Sequence, residues 1–513
     1  MKVIKLRFES LNTKKLIKLL LSKPGSDISN KNKNYKKLIC IKFILLILFS
    51  IYFFLDENPK ITKLIHIDYE KYEKIFNGNS TCDLLDPINY FKQRIKEGKF
   101  EICNDNNTKH ICYINVNPYI NRMAWGKNFV FCTMENIILD PLKSNQSGLV
   151  FRGHVDPVNL GYPILSKGFL NTKCNHQKIT FPYNHYLAHY FNSWNYDYNN
   201  ENVKLEELSP GKTIFLMSRN QDSPNLYHGN CEVMNAISML YLFKLYPEDI
   251  QIVFMESIGL PDDPFYDIYK YMISFGTEPI YIKNLTKKYK ISKAIHVPNI
   301  FDSPIFIHSD YPKCNSTTKT FQLYNDFVDK YMNLTPFKDQ FININNSFYY
   351  PKKIINNYFL NKKFKKIVTI QWRRLWPEGR KGQPRIFQNA PQLADKLASV
   401  LPDDILIRVI DNAKLPYKDQ IALARSSDYF VGIHGAGLSL VLFMPQKSIF
   451  HEILSYKNNK LLLIMSSMSG HKTYSDIIKA NSNKNDGNEN IIFDENDFVD
   501  SVLKHMKENN FLQ

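Results

Sequence analysis

YFVGIHGAGLSLVL, residues 429–442, is the stretch of this chain that says most about its fold. An apolar run breaks at a glycine, passes through His434, Gly435, Ala436 and Gly437, and then resumes. A buried strand that turns sharply into a helix has this pattern. Small residues let a ligand approach the backbone, and N–H groups at a helix start favour an anion such as diphosphate. The stretch therefore predicts a diphosphate-binding turn.

His434 and Glu452 extend this prediction to the sugar part of a nucleotide. The His434 ring stands in the turn, where it can donate a hydrogen bond to a phosphate or sugar oxygen. Glu452 follows eighteen residues later, after a second apolar run. An acidic residue at such a separation from a glycine turn can accept hydrogen bonds from ribose hydroxyls.

The positive charge of the chain is concentrated at its amino terminus. The 513 residues carry a formal net charge of +17 at pH 7. Twelve basic and two acidic residues within the first 42 account for +10, which leaves +7 for the remainder. A nucleic-acid-binding surface would need basic residues on the folded domains. We therefore predict no nucleic-acid partner.

An apolar segment at residues 38–55 follows the basic region. About 18 residues just suffice to span a bilayer, and the basic flank should stay on the cytosolic side. A cleaved signal peptide is the alternative, but the basic region is too long for one and no A-x-A site follows. We predict a cytosolic tail at 1–37, a type II signal anchor at 38–55 and a stem at 56–95. The rest would then lie in the lumen of the endoplasmic reticulum or Golgi.

Cysteine usage agrees with a lumenal location. Seven of the eight cysteines follow the apolar segment, and none forms a C-x-x-C pair. Disulfides in an oxidising compartment are therefore the expected use. Because seven is odd, at least one thiol is free or pairs between chains, and a homodimer is one possibility. The histidines show no metal-ligand spacing, and we predict no metal site.

Two series of alternating strands and helices predict two α/β domains. In the first domain, residues 96–350, strands at 212–218 and 249–255 flank a helix at 231–245. In the second, residues 360–480, the predicted strands are 366–371, 405–409, 429–433 and 447–452, with helices at 391–401, 417–426 and 438–443. Residues 337–366 read as a linker. Residues 481–513 read as a loop and a helix that packs back onto the first domain. The predicted fold is two Rossmann-like domains with a cleft between them.

A basic block follows the predicted strand 366–371. Its arginines are Arg373, Arg374 and Arg385, and Asn389 comes after them. Open α/β sheets bind ligands at the carboxyl ends of their strands. Guanidinium groups there suit a diphosphate because they offer paired planar donors. The alternative is a solvated basic loop.

The segment NLYHGNCE, residues 225–232, predicts a further polar cluster before a helix. His228 and Glu232 are four residues apart, so on a helix they share a face. Either side chain could remove a proton from an attacking hydroxyl. A helix-start network capped by Asn225 is an equally good interpretation.

These blocks together resemble glycosyltransferase family 61. The resemblance rests on MSRNQDSPNLYHGNCE, QWRR with PRIFQN, and FVGIHGAGLSLVLFMPQKSIFHE, and spans roughly residues 165–475. Within that family the blocks are most similar to the N-glycan core β-1,2-xylosyltransferase. The resemblance implies a GT-B fold of two facing Rossmann-like domains and an inverting transfer from a UDP-sugar, UDP-xylose or UDP-N-acetylglucosamine. It implies no tightly bound cofactor and no obligatory metal.

The resemblance also assigns roles to single residues. The stretch from His434 to Gly437 falls on the donor-binding turn, and Glu452 on the distal acidic position. The arginine-containing donor block comprises Arg373 or Arg374 together with Arg385 and Asn389. Asn225, Tyr227 and His228 match the upstream motif. Two positions depart from the family pattern: Glu232 stands where Asp is usual, and Ala390 where Glu is common.

Two further functions stay open on the sequence. One is an O-linked N-acetylglucosaminyltransferase of the same family, acting on protein Ser/Thr or on O-mannose glycans. The other is a catalytically silent glycan-binding scaffold, which the two departures keep possible. The implied partners are an N-glycan or glycoprotein acceptor and a membrane crossed by one N-terminal span.

Overall fold

Two α/β lobes follow each other along the chain in the computed structural model. The structure describes residues 67–73, 82, 86–105, 108–113, 131–145, 150–151, 154–155, 164–175, 190, 193–198, 204–219, 225–255, 264–298, 303–307, 317–339, 347–374, 385–454, 461–477, 481–482 and 489–512. The predicted cytosolic tail and signal anchor lie outside these residues. No helix in the described part of the chain is long and apolar enough to cross a membrane.

The first lobe is built on a ten-stranded sheet with the order β1-β2-β3-β14-β11-β12-β13, in which β8, β9 and β10 are side branches. The strands of this lobe are β1 Lys99–Asn104, β2 Lys109–Tyr113, β3 Phe131–Leu139, β4 Ser144–Asn145, β5 Val150–Phe151, β6 His154–Val155, β7 Ile164–Leu165, β8 Leu170–Asn171, β9 Trp194–Asn195, β10 Glu206–Glu207, β11 Thr213–Met217, β12 Ile250–Phe254, β13 Ile280–Tyr281 and β14 Tyr289–His296. The first three pair antiparallel, whereas β14, β11, β12 and β13 are parallel. The small sheets β4–β7 and β5–β6 lie apart.

A nearly fully buried helix forms the centre of the first lobe. The helices are α1 Glu70–Glu73, α2 Pro87–Glu97, α3 Leu226–Leu242, α4 Pro304–Ile307 and α5 Lys319–Tyr331, with 3-10 turns at Pro141–Lys143, Pro247–Asp249 and Ile282–Asn284 and a π-helical segment at Ile268–Ile273. The central helix is α3, and it begins five residues before the predicted helix because Asn225 caps it. Helix α2 packs in the same core through Ile88 and Phe91. The packed lobe therefore includes residues that the sequence had suggested as stem.

The second lobe carries a six-stranded sheet, parallel except for its edge strand β15. Its strands are β15 Phe348–Tyr349, β16 Lys366–Gln371, β17 Arg385–Phe387, β18 Ile405–Ile410, β19 Tyr429–Ile433, β20 Ile449–Leu454, β21 Lys472–Ile477, β22 Asn481–Ser482 and β23 Glu489–Ile491. Its helices are α6 Lys352–Phe359, α7 Ala390–Val400, α8 Tyr417–Arg425, α9 Leu461–Met468 and α10 Glu495–Glu508, with 3-10 turns at Asn412–Lys414 and Ala436–Phe443. Strands β17, β22 and β23 form a separate small sheet.

The strand order of the second sheet creates a topological switch point. The parallel strands lie in the order β18-β16-β19-β20-β21. In chain order this is 2-1-3-4-5, the doubly wound order of flavodoxin-like folds. The chain passes from β16 to β18 on one side of it and then crosses to β19 on the other side. A crevice therefore opens between the carboxyl ends of β16 and β19. Ligands of open α/β sheets bind in such a crevice.

The C-terminal helix packs on the second lobe, and the prediction that it returns to the first is wrong. Phe498, Val502 and Met506 of α10 share one buried cluster with Leu393 and Leu397 of α7. The same cluster contains Ile354 of α6, within the segment that composition suggested as a linker. The packing of α10 could not be predicted because a few apolar residues, sparse in the local sequence, decide it, whereas the linker assignment stays a prediction.

A buried arginine anchors the second lobe. Arg408 on β18 is fully buried. Its Nη1 lies 3.0 Å from both carboxylate oxygens of Asp339, and its Nε donates to Thr369 at 2.9 Å. Its Nη2 donates to Ser426 at 2.7 Å. A buried charge is tolerated only when it is paired and hydrogen-bonded in this way.

The two lobes share one apolar cluster. Leu438, Leu440 and Phe443 of the 3-10 turn, and Met465 of α9, are buried in the same cluster as α3 and α5 of the first lobe. An apolar contact of this kind restrains relative movement of two lobes. The helical turn that follows the HGAG stretch is therefore held against the helix that carries His228 and Glu232.

Disulfides are present in the described chain, as predicted. Cys103 bonds Cys174, and Cys112 bonds Cys132 across β2 and β3. Cys82 is also disulfide-bonded. Cys231, buried on α3, is a free thiol.

Candidate active site

The predicted turn and the basic block meet at the switch point. Arg373 follows the carboxyl end of β16, and its Nη1 donates to the backbone oxygen of His434 at 2.8 Å. A Cβ at Gly435 would collide with this guanidinium group. Because Gly435 has no side chain, the Arg373 guanidinium group can lie directly against the turn. In this structure the arginine braces the turn from the protein side.

Gln371 and Asn412 support the next glycine. The Gln371 amide donates to Asn412 at 2.9 Å, and the Asn412 amide reaches the oxygen of Gly437 at 3.5 Å. A Cβ at Gly437 would collide with the Gln371 amide, and one at Gly432 would lie 2.9 Å from Gln371 Cβ. The glycines therefore let the ends of β16 and β19 pack closely, and the turn is held rigidly.

His434 and Glu452 form a direct pair. His434 Nδ1 lies 2.5 Å from Glu452 Oε1. Glu452 is fully buried on β20, and His434 is 8% exposed. Because a carboxylate can only accept, Nδ1 donates, and any proton exchange with a bound molecule passes through Nε2. The carboxylate thus orients the imidazole, and the acceptance of ribose hydroxyls by Glu452 stays a prediction.

Arg374 is the better-oriented cation for a ligand. Its Nε donates to Asp411 at 2.9 Å, and its guanidinium lies 4.4 Å from the centre of the Trp372 ring. Its side chain remains 25% exposed, whereas Asp411 is nearly buried. An arginine held on one edge by a carboxylate and on one face by an indole has a fixed guanidinium plane.

Of the two other residues in the basic block, the structure describes the side chain of Asn389 but not that of Arg385. Arg385 lies in β17, which pairs with β23, and its side chain lies outside the described part of the structure. The Asn389 amide donates to the oxygen of Phe493 at 2.7 Å and accepts from the Phe493 N–H at 3.2 Å. Asn389 thus links the start of α7 to the segment before α10, and its role at the donor stays a prediction.

The start of α3 shows the predicted cap at Asn225, and the role of His228 or Glu232 as a base stays a prediction. The Asn225 side chain accepts from the backbone N–H of Tyr227 at 3.1 Å and of His228 at 3.4 Å, so it caps the helix. Burial lowers the pKa of His228 to about 4, and this imidazole is neutral near pH 7. Glu232, one turn later, is 2% exposed. A neutral imidazole and a carboxylate therefore lie within one turn of each other.

Sequence reasoning missed the residues that support the site. Asp411 and Asn412 follow the carboxyl end of β18, and Gln371 ends β16. All of them share one signal that was available in the sequence: a polar residue at the carboxyl end of an apolar strand.

One cluster of metal-ligand type lies elsewhere in the described chain. His110, Cys112 and Cys132 place their ligand atoms within 4.8 Å of one another. The two sulfurs form a disulfide, so they are not thiolate ligands in this structure. His110 stacks on Trp194 with ring centres 4.1 Å apart, and burial lowers its pKa to about 3.

Residues 226–450 match the family described as Glycosyltransferase 61. The matched range begins at the first residue of α3 and ends within β20, so it includes the capped helix, the basic block and the HGAG turn. The EGF domain-specific O-linked N-acetylglucosamine transferase of Drosophila melanogaster is 22% identical over 344 residues, which cover 63% of this chain and 57% of that protein. The proteins of the same description from Gallus gallus and Mus musculus are each 26% identical over 86 residues, 17% of this chain and 16% of theirs.

The chain thus spans little more than half of the fly protein and a much smaller part of the two vertebrate ones. The aligned parts nevertheless agree with the family match in pointing to an enzyme class that transfers sugars. The family match implies a nucleotide-sugar co-substrate. The match of residues 226–450 to a glycosyltransferase family 61 domain, together with these relatives, supports a glycosyltransferase.

Proposed function

We propose that this chain transfers a sugar from a UDP donor to a glycoprotein acceptor, with inversion at the anomeric carbon. One observation carries the proposal: the strand order puts Arg373, Arg374 and His434 around the switch-point crevice of the second sheet. Nucleotides bind in such crevices in open α/β sheets. The family match over residues 226–450 supports the same activity.

In this proposal Arg374 binds the diphosphate of the donor. Asp411 and Trp372 hold its guanidinium group, so little side-chain freedom is lost when a phosphate binds. Arg373 acts on the donor indirectly, because its guanidinium group donates to the backbone oxygen of His434 and so supports the turn. His434 acts as an imidazolium: its Nδ1–H is held by Glu452, and its Nε2–H donates to the oxygen on which negative charge develops as UDP leaves.

The first lobe supplies the base. His228 or Glu232 takes the proton from the acceptor hydroxyl, and the acceptor oxygen bonds to the anomeric carbon. The bond from that carbon to the diphosphate oxygen breaks, and UDP departs with the electron pair. Because burial holds the pKa of His228 near 4, its imidazole can accept a proton throughout the neutral range. If His228 is the base, the acid limb of kcat/KM lies near pH 4.

The finer specificity has two candidates. The first is transfer of β-1,2-xylose to the core mannose of N-glycans by a GT-B enzyme without an obligatory metal, as the sequence resemblance implies. The second is transfer of N-acetylglucosamine to protein Ser/Thr. The fly, chicken and mouse relatives are O-linked N-acetylglucosamine transferases, which fits the second candidate without deciding between the two. Transfer to O-mannose glycans is a variant of it.

We also propose that the enzyme works in the lumen of the Golgi or endoplasmic reticulum, anchored by residues 38–55. The disulfides Cys103–Cys174 and Cys112–Cys132 support an oxidising compartment. Fusion of residues 1–60 to a reporter that is glycosylated only in the lumen tests this topology. A reporter that stays in the cytosol and lacks glycans would contradict it.

The activity is tested by incubating the lumenal chain with UDP-xylose, UDP-N-acetylglucosamine and other UDP-sugars. Defined N-glycans, EGF-like domains and O-mannosyl peptides serve as acceptors, and product mass is the readout. Gain of a pentose on an N-glycan supports the first candidate. Gain of an N-acetylhexosamine on an EGF-like domain or an O-mannosyl peptide supports the second. Release of UDP with no acceptor modified, or no turnover at all, would contradict the proposed function.

A further inference from the structure

Asn230 on α3 makes a buried polar contact between the two lobes. Its Nδ2 donates to Ser439 Oγ at 3.1 Å, and Ser439 lies in the 3-10 turn that follows the HGAG stretch. Its Oδ1 accepts from the hydroxyl of Tyr417 at 2.7 Å and from that of Tyr324 at 2.8 Å. Asn230 and Ser439 are both fully buried. One amide thus joins α3, α5, α8 and the turn.

The proton positions in this contact follow from chemistry. Burial raises the pKa values of Tyr324 and Tyr417 far above the working range, so both hydroxyls keep their protons and donate. Two hydroxyl donors identify the amide oxygen, and the amide nitrogen must then face Ser439. A buried network in which every partner is satisfied specifies one arrangement of the elements it joins.

The preceding residue strengthens the same contact. A Cβ at Gly229 would collide with the ring of Phe265, so the glycine allows that ring to lie directly on α3. Phe265 in turn packs against Tyr417, with ring centres 4.7 Å apart. Gly229 and Asn230 therefore both serve the junction of the lobes, between His228 on one side and Glu232 on the other.

We infer that Asn230 is a positioning residue for sugar transfer. It sets α3, which carries His228 and Glu232, against the 3-10 turn Ala436–Phe443 that directly follows His434 and Gly435. This inference rests on the proposed function, because it assigns the acceptor base to one element and the leaving-group donor to the other. A shift of about 1 Å between such groups can lower the rate a hundredfold. UDP binding itself involves the second lobe and stays intact.

Asn235 offers a matched control on the same helix. It is also fully buried, and its Nδ2 donates to the backbone oxygen of Pro298 at 3.1 Å, within the first lobe. Asn230→Leu and Asn235→Leu each replace a buried amide by an apolar side chain of similar size. Both variants should lose thermal stability, but only one should disturb the junction between the lobes.

The test measures kcat, the acceptor KM and the UDP dissociation constant for the two variants, for Ser439→Ala and for Asn230→Leu/Ser439→Ala. We expect Asn230→Leu to lower kcat at least tenfold per folded molecule with UDP affinity within twofold of wild type. Asn235→Leu should keep wild-type kcat. The effects of Asn230→Leu and Ser439→Ala should be non-additive, because one bond joins them.

Two outcomes would overturn the inference in distinguishable ways. If the wild type is active and Asn230→Leu matches Asn235→Leu in kcat, Asn230 has only a structural role, and the proposed function stands. If the wild type transfers no sugar from any UDP donor, the proposed function fails and the inference fails with it.

Discussion

Two histidine–carboxylate pairs lie side by side on β20 and have different surroundings. Glu452 pairs with His434 at the carboxyl end of β19, next to the switch-point crevice. Its neighbour His451 points to the other face of the sheet and contacts Asp476 at 3.0 Å. Adjacent residues of a strand alternate in direction, so one strand supplies a carboxylate to one pair and an imidazole to the other.

The His451 pair belongs to a closed network under α10. One arrangement of protons satisfies this network. His505 Nδ1 donates to the Tyr429 hydroxyl at 3.2 Å, and this hydroxyl donates to His451 Nδ1 at 3.1 Å. His451 Nε2 and the Ser501 hydroxyl donate to Asp476. Burial raises the pKa of Asp476, but the hydrogen bonds from His451 and Ser501 and the electrostatic interactions with His451 and His505 together outweigh burial and hold that pKa at about 2. The comparison shows that residue chemistry alone does not mark a site; position at the switch point does.

The largest expected effect is on the His434 pair. His434→Ala should lower kcat/KM about a hundredfold or more, because a donor to the leaving oxygen is lost. Steady-state kinetics on the acceptor identified by the UDP-sugar panel measure the change, and circular dichroism confirms the fold. If folded His434→Ala keeps wild-type activity, the His434 pair has no catalytic role that distinguishes it from the His451 pair.

The complementary change is His451→Leu. It breaks the bonds to Asp476 and Tyr429, and should reduce the free energy of unfolding by about 2 kcal/mol. Urea unfolding measures this loss. Activity per folded molecule should stay close to wild type. If His451→Leu keeps its stability but loses turnover, the catalytic role belongs to the His451 pair and not to the His434 pair.

The support of the turn is tested by Gly435→Ala. The new methyl group would displace the Arg373 guanidinium, and overpacking of this kind costs about 1–3 kcal/mol. We expect the KM for the UDP-sugar to rise about tenfold, with little change in kcat. Gly211→Ala, at the amino end of β11, is the control and should leave that KM unchanged. An unchanged KM in Gly435→Ala would show that the turn does not need this brace.

The smallest effect concerns pH and the network under α10. Burial, and then the neighbouring His451, lower the pKa of His505 to about 4, whereas an unfolded histidine titrates near 6.5. Between these values the unfolded chain binds a proton that the folded chain does not, so stability falls as pH decreases from 6.5 to 4. His505→Asn should flatten this slope in thermal melts between pH 7 and 4.5. An unchanged slope would mean that His505 is not responsible.

Much of the second lobe could be predicted because its strands are uninterrupted apolar runs. The ranges 366–371 and 429–433 match β16 and β19 residue for residue. Buried parallel strands leave such a signal, since both of their faces are covered. The meeting of the arginine block with the HGAG turn also followed, because both lie just after a strand.

What the sequence could not predict depends on contacts distant along the chain. The pairing of Glu452 with His434 needs the register of β19 against β20. The braces at Gly435 and Gly437 depend on which strand neighbours β19. Asn230 stands within a motif that was recognised, yet its three partners come from residues 324, 417 and 439. Local patterns carry no information on such partners.

The central claim is that the crevice between β16 and β19 binds the UDP part of the donor. Calorimetric titration of UDP into the wild type, Arg374→Met and His451→Leu tests it most directly. The account predicts binding to the wild type, a loss of about tenfold or more in Arg374→Met, and unchanged affinity in His451→Leu. Equal UDP affinity in the wild type and Arg374→Met, or no binding to the wild type, would contradict it.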